Sequence, residues 1–154
     1  MILIDANALV LLIVGMIDEK LIAKHKRTSI YSEKDYRDLL SAIGSLDRLV
    51  ILPNVWTEVD NLLNRLSGSH KWPYVTLMKL LVEQTTEEHI ASIVGINSDY
   101  FISEGLTDSL LIELWKQKQY DFLITGDSKL SDIANAYGIE VYDTVQRRNQ
   151  NLRE

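Results

Sequence analysis

Short apolar runs alternate with amphipathic segments along this chain. Runs of consecutive apolar residues predict short strands, and spacings of three and four predict helices. The predicted strands cover residues 1–5, 49–52, 121–125 and 139–142. The predicted helices cover residues 6–14, 32–46, 53–66, 73–83, 107–118 and 127–137. This alternation predicts a three-layer α/β/α fold around a central, mostly parallel sheet.

Local signals mark several element ends. Ser32 and Thr107 stand where helix N-caps are expected, and Gly138 stands where a helix should end. Residues 18–30 are polar and basic and predict a loop or a frayed helix, while residues 84–104 fit neither pattern clearly and leave His89–Ile96 open as strand or helix. We expect one domain over residues 1–146, followed by a mobile polar tail at 147–154.

The composition excludes several kinds of functional site. The chain has 154 residues, no cysteine and a net charge of −6. The absence of cysteine excludes disulfides, thiolate metal sites and cysteine nucleophiles. A negative net charge excludes a general nucleic-acid coat, so a nucleic-acid substrate would need a local basic patch or a metal ion. The longest apolar run, Ala8–Ile17, is too short to span a membrane, and we expect a cytoplasmic protein without a membrane partner.

Two carboxylates close predicted strands. Asp5 follows the first apolar run, and Asp127 follows the run at 121–125. Ligands of open parallel sheets bind outside the carboxyl ends of the strands, so both side chains are expected at the functional edge. Helix N-capping is the plainer explanation for either residue taken alone.

Asp108 and Glu58 interrupt apolar helix faces. Leu111, Ile112 and Trp115 lie three, four and seven residues after Asp108, which puts this carboxylate inside an apolar stripe. A favourable helix-dipole interaction would not explain that face, because an exposed position would offer it too. Glu58 lies at the edge of a stripe, where a side chain reaching to solvent is the simpler interpretation.

The four acids become informative as a set. Carboxylates that converge cannot all ionise without a compensating charge, and Mg²⁺ or Mn²⁺ prefers oxygen ligands of this kind. The three histidines, His25, His70 and His89, lie in loops or poorly defined segments, so a zinc site is not expected.

The sequence resembles the PIN-domain ribonucleases, including the VapC-type toxins of toxin–antitoxin pairs. The matching elements, in the family's order, are Leu3-Ile-Asp5-Ala-Asn7, Leu52-Pro53 leading to Val55-Trp-Thr-Glu58, Leu106-Thr-Asp108, and Leu123-Ile-Thr125-Gly-Asp127-Ser-Lys-Leu130. The resemblance implies a PIN-like fold in which Asp5, Glu58, Asp108 and Asp127 form the catalytic metal site. Asn7 and Thr125 would be supporting polar residues.

The resemblance also implies a function. It implies a Mg²⁺- or Mn²⁺-dependent endoribonuclease that hydrolyses RNA phosphodiester bonds, a homodimer and, for the toxin branch, a cognate antitoxin protein. The segment from Gly15 to Arg48 is longer than in compact toxin members, a departure that bears on the toxin role more than on the chemistry.

Basic and aromatic residues offer further contacts. Candidate phosphate contacts are Lys20 with Lys24–Arg27, Lys129, and Arg147–Arg148, although solvated surface charge explains each of them more simply. The tryptophans, Trp56, Trp72 and Trp115, are expected in the core or at an interface.

Two other functions fit the same residues. The first is a catalytically degenerate PIN-like module that binds protein or RNA. The second is another magnesium-dependent phosphate enzyme with a nucleophilic aspartate, although Asp5-Ala-Asn7 lacks the second acid that such enzymes carry nearby.

Overall fold

A computed structural model describes all residues 1–154 and shows a five-stranded parallel sheet. The strands are β1 (Ile2–Ile4), β2 (Leu49–Ile51), β3 (Thr86–Glu87), β4 (Phe122–Thr125) and β5 (Val141–Asp143). Their order across the sheet is β3-β2-β1-β4-β5. The chain therefore leaves β1 for β2 on one side and later returns to β4 on the other side.

Eight α-helices flank the sheet and complete the expected three-layer α/β/α fold. They are α1 (Ala6–Ile17), α2 (Glu33–Ile43), α3 (Pro53–Leu63), α4 (Lys71–Gln84), α5 (Ser92–Ile96), α6 (Phe101–Gln117), α7 (Ser128–Ala136) and α8 (Thr144–Asn151). None of these helices combines the length and the apolar character that crossing a bilayer requires.

Helix α1 is the central helix of the core. Every residue from Ala8 to Gly15 is buried, and α1 packs against α2, α3 and α4. Gly15 permits the close approach of α2, because a Cβ atom built there would overlap the Tyr36 ring. Each fully buried Leu or Ile side chain stabilises the fold by roughly 1.5–3 kcal/mol, so this helix anchors the loops at both of its ends.

The expected mobile tail at residues 147–154 is wrong for most of its length. Residues Thr144–Asn151 form α8, whose N-cap is Asp143. The Asn151 side-chain amide donates to Asp35 and Asp38, and Arg147 pairs with Asp38 at 3.2 Å. These hydrogen bonds and this ion pair hold α8 against α2. The sequence of α8 has no clear apolar stripe, so the hydrophobic pattern did not predict this helix.

A smaller expectation also needs correction. Thr107 does not cap a helix, because the helical run that carries Asp108 begins directly after the non-helical Gly105, which leaves Thr107 inside its first turn. Of the tryptophans expected in the core or at an interface, Trp56 is buried and Trp115 packs partly buried against the core. Trp72 is 76% exposed, so an interface is the remaining expectation for this side chain. In the unassigned region 84–104, His89–Ile96 contains the short helix α5, and the edge strand β3 precedes it.

Candidate functional site

The candidate site lies at the carboxyl edge of the two central strands. Asp5 directly follows β1, and Asp127 lies two residues beyond the adjacent strand β4. The chain connections run in opposite directions on the two sides of β1, which is where open α/β sheets leave a crevice. A pocket of about 460 Å³ opens there, lined by Asp5, Asn7, Glu58, Glu104, Asp108 and Asp127 among others. We call it the acidic pocket.

Asp5 is fixed at the floor of this pocket. Only 3% of its surface is exposed, and its Oδ1 accepts a hydrogen bond of 2.8 Å from the Ala8 amide. Its Oδ2 accepts from the Thr125 hydroxyl and from the Gly126 amide. Burial raises the pKa of Asp5 to about 6, despite the opposing effect of these donors.

Thr125 connects Asp5 with Asp127. Its hydroxyl donates to Asp5 and accepts a 2.9 Å hydrogen bond from the Asp127 amide. Asp127 in turn caps α7, because its Oδ1 accepts from the amides of Lys129 and Leu130. Capping and a place in the pocket are therefore compatible for both strand-end acids, and one oxygen of Asp127 remains without a hydrogen bond.

Asp108 is the least compensated acid of the pocket. It is half-buried on α6, as its apolar neighbours predicted, and its carboxylate takes part in none of the side-chain hydrogen bonds. Burial is the main cause that raises its pKa to about 7, and the charges of Asp5, Asp127, Glu58 and Glu104 raise it further. The carboxylate of Asp108 thus lies within the field of four acids that are distributed along the sequence.

Glu58 reaches the pocket from α3. Its side chain is exposed, as expected at the edge of an apolar stripe, and its Oε1 accepts a hydrogen bond from the Thr107 hydroxyl. This bond connects α3 with the start of the helical run that carries Asp108. Thr107 thus orients an acid of the pocket instead of capping a helix.

Glu104 and Gly105 are site residues that the sequence pattern did not reveal. Gly105 interrupts α6 with a φ of 77°, in the left-handed region that favours glycine, and both residues line the acidic pocket. The interruption places Glu104 and Asp108 along the same pocket. The only available signal was a glycine directly before the helix predicted at 107–118.

Asn7 lines the acidic pocket, and Gly126 lies beside Asp5. The Asn7 side chain is exposed in the first turn of α1 and lines the acidic pocket. A Cβ atom at Gly126 would lie 3.0 Å from both the Tyr31 and Thr144 hydroxyl oxygens, so a larger residue would require these buried side chains to shift. The Gly126 amide donates a hydrogen bond to Asp5.

No cation compensates the acidic pocket. None of the ten ion pairs of the protein includes Asp5, Glu58, Glu104, Asp108 or Asp127.

No protein-family model and no curated protein matches this chain. The site is therefore interpreted from its own residues.

The donor set suits a hard divalent cation, although the side chains do not form a closed ligand cage. No group of three or more His, Asp or Glu side chains is arranged to hold a metal ion as it stands. The available donors are nevertheless all oxygen atoms, and Asp108 lacks any partner. Oxygen donors without cysteine or histidine fit Mg²⁺ or Mn²⁺ better than zinc.

The other candidate contacts separate into two groups. Arg147 pairs with Asp38, and Arg148 donates to the Ile30 carbonyl, so both stabilise the fold near α8. Residues Lys24–Arg27 line a different pocket, away from the acids, and Lys129 is exposed at the start of α7.

Proposed function

We propose that this protein is a Mg²⁺- or Mn²⁺-dependent endoribonuclease of the PIN-domain type. The observation that carries the proposal is the convergence of Asp5, Glu58, Asp108 and Asp127 in one pocket without a compensating cation. These are the acids that the motif resemblance assigns to the metal site. The pocket also lies at the sheet edge where the fold places ligands.

The position of each acidic residue would determine its role. Asp5, Asp108 and Asp127 would hold the ion, and Glu58 would complete its coordination or orient the attacking water. The ion would lower the pKa of the attacking water and would offset negative charge on the phosphate and the leaving oxygen. Thr125 keeps Asp5 and Asp127 in a fixed relation, and exposed Asn7 can donate a hydrogen bond to the substrate.

The pocket suits a phosphodiester within a chain. It is open, polar and lined by only two hydrophobic residues among ten, so a strand can lie across it without an apolar anchor. The acidic lining would repel a phosphate unless a cation reverses the local potential, which makes metal dependence part of the proposal. RNA as the substrate follows from the motif resemblance, as do a homodimer and an antitoxin partner, which stay predictions.

One observation favours a second candidate, a non-catalytic binding module. Asp5, Glu58 and Asp127 each have a hydrogen-bond partner within the chain, and no three ligands stand ready around one point. In such a module the acids would be structural, and metal ions would leave both stability and RNA unchanged.

Metal-dependent cleavage by the wild type and its loss in Asp127→Asn test the proposal. Purified protein with Mg²⁺ or Mn²⁺ should cut a labelled RNA, with DNA of the same sequence as the comparison substrate, and EDTA should stop the reaction. Asp127→Asn should lose most of the activity while its circular dichroism spectrum stays unchanged, because asparagine is an equally good N-cap.

Asp143→Asn is the matched control for that variant. Asp143 also ends a parallel strand and caps the following helix, yet it lies outside the acidic pocket. The Asp143→Asn variant should cleave RNA at the same rate as the wild type. Wild-type cleavage by Asp127→Asn, or no metal-dependent cleavage at all, would contradict the proposed function.

A further inference from the structure

A second polar pocket, of about 520 Å³, has the opposite charge. It lies where the segment 18–31 meets the C-terminal end of α3. Its lining includes the cations Lys24, Lys26, Arg27 and Arg65 and no aspartate or glutamate. We call it the basic pocket.

The cations of the basic pocket have no carboxylate partners. The basic residues paired elsewhere are Lys34, Arg37, Arg48, Lys116, Lys118 and Arg147. None of the four cations of the basic pocket occurs in any ion pair, although the whole chain carries a net charge of −6. Partial burial lowers the pKa of His25, and the charges of Lys26 and Arg27 lower it further. This pocket is therefore a local region of uncompensated positive charge.

The backbone that carries these cations is held in place. Ile22 and Thr28 are fully buried on either side of the basic run, and the Thr28 hydroxyl donates a 2.7 Å hydrogen bond to the Ile22 carbonyl. The Arg27 amide donates to Nδ1 of His25 at 3.2 Å. A preformed loop loses less conformational entropy when it binds an anion than a disordered one would.

Helix α3 connects the basic pocket to the acidic pocket. Glu58 lines the acidic pocket, while Asn61 and Arg65, three and seven residues later, line the basic one. Asn61 therefore lies on the same face of α3 as Glu58, about 4.5 Å further along the axis, and Arg65 lies in the turn that follows the end of α3 at Leu63. A single strand lying along α3 would meet both pockets.

We propose that the basic pocket binds backbone phosphates of the same RNA strand whose scissile phosphate lies in the acidic pocket, a proposal that rests on the proposed function. Continuity along α3 favours a nucleic-acid strand over an acidic protein segment. Phosphate binding by Lys and Arg gives affinity without base specificity, so this pocket sets the position of the strand and not its sequence. The long segment between α1 and α2 then supplies substrate binding.

Fluorescence anisotropy of a labelled single-stranded oligouridylate tests this inference. The titrations are run in EDTA, which prevents cleavage, with the variants Lys26→Gln, Arg27→Gln and Arg65→Gln. Each variant should weaken binding about three- to tenfold and lower the slope of log K against log salt by about 0.7 per lost contact. Lys79→Gln is the control, because Lys79 is exposed and unpaired on α4 and lies outside both pockets.

The outcomes separate the two proposals. Unchanged affinity and salt slope in all three variants would overturn the basic-pocket inference, even if the wild type cleaves RNA with Mg²⁺. Pocket-dependent binding without metal-dependent cleavage would support RNA binding by the basic pocket, but it would overturn the nuclease and with it the scissile phosphate in the acidic pocket. Pocket-dependent binding of labelled polyglutamate, with no binding of the oligouridylate, would assign the pocket to an acidic protein partner and overturn the RNA assignment.

Discussion

Asp108→Asn is expected to abolish metal-dependent RNA cleavage and to stabilise the metal-free protein. Cleavage should fall by at least about 100-fold, because the least compensated oxygen donor of the site is lost. Stability should rise, because Asp108 is half-buried among four other acids without a partner. Opposite effects on activity and stability are typical of residues retained for function.

The size of the stabilisation follows from the raised pKa of Asp108. A shift from 3.8 to about 7 corresponds to roughly 4 kcal/mol when the group is fully ionised. Solvent screening of a half-buried side chain reduces this to about 2 kcal/mol. Urea unfolding in EDTA above neutral pH measures the effect.

An exposed acid provides the control for Asp108→Asn. Asp132 is exposed on α7 and forms no ion pair, so Asp132→Asn should change the free energy of unfolding by less than about 0.5 kcal/mol. If Asp108→Asn is instead less stable than the wild type, the carboxylate is a structural hydrogen-bonding group and its role as a metal ligand is wrong.

The metal-free protein is expected to lose stability as the pH rises from about 4 to about 7. Asp5 and Asp108 have folded pKa values of about 6 and about 7, above the 3.8 of an unperturbed aspartate. Within this window the folded state holds protons that the unfolded chain has released, so the free energy of unfolding falls with rising pH. Asp38 and Asp121 have lowered pKa values and lose their contribution only at more acidic pH.

Magnesium should reverse this loss at high pH only. The ion binds ionised carboxylates, so Mg²⁺ should raise the melting temperature near pH 8 and have little effect near pH 5. Thermal unfolding at several pH values, with Mg²⁺ or with EDTA, measures both effects. An equal effect of Mg²⁺ at both pH values, or none at either, would show that the ion does not act on these acids.

The strongest sequence patterns predicted the fold well. The central strands β1, β2 and β4 are short apolar runs, and the hydrophobic effect alone selects them for the middle of a sheet. Strand β3 consists of Thr86 and Glu87, both exposed at the sheet edge, so no hydrophobic pattern could reveal it. Helix α8 depends on hydrogen bonds to α2, which only the folded chain brings together.

The candidate site was predictable where acids follow strands or interrupt apolar faces. Asp5 and Asp127 follow adjacent strands, and topology alone brings the ends of such strands together. Asp108 was identifiable because a carboxylate in an apolar stripe is costly without a functional reason. Glu104 was not, because its place in the pocket depends on the left-handed Gly105 within α6, a backbone feature that side-chain periodicity does not encode.

Anomalous diffraction from crystals soaked in Mn²⁺ tests the central claim most directly. We expect a manganese peak in the acidic pocket, with oxygen atoms of Asp5, Asp108 and Asp127 as ligands, and no such peak in Asp108→Asn crystals. A wild-type map without manganese in this pocket, in which Asp5 and Asp127 keep only their present amide and hydroxyl partners, would contradict the metal site and the nuclease built on it.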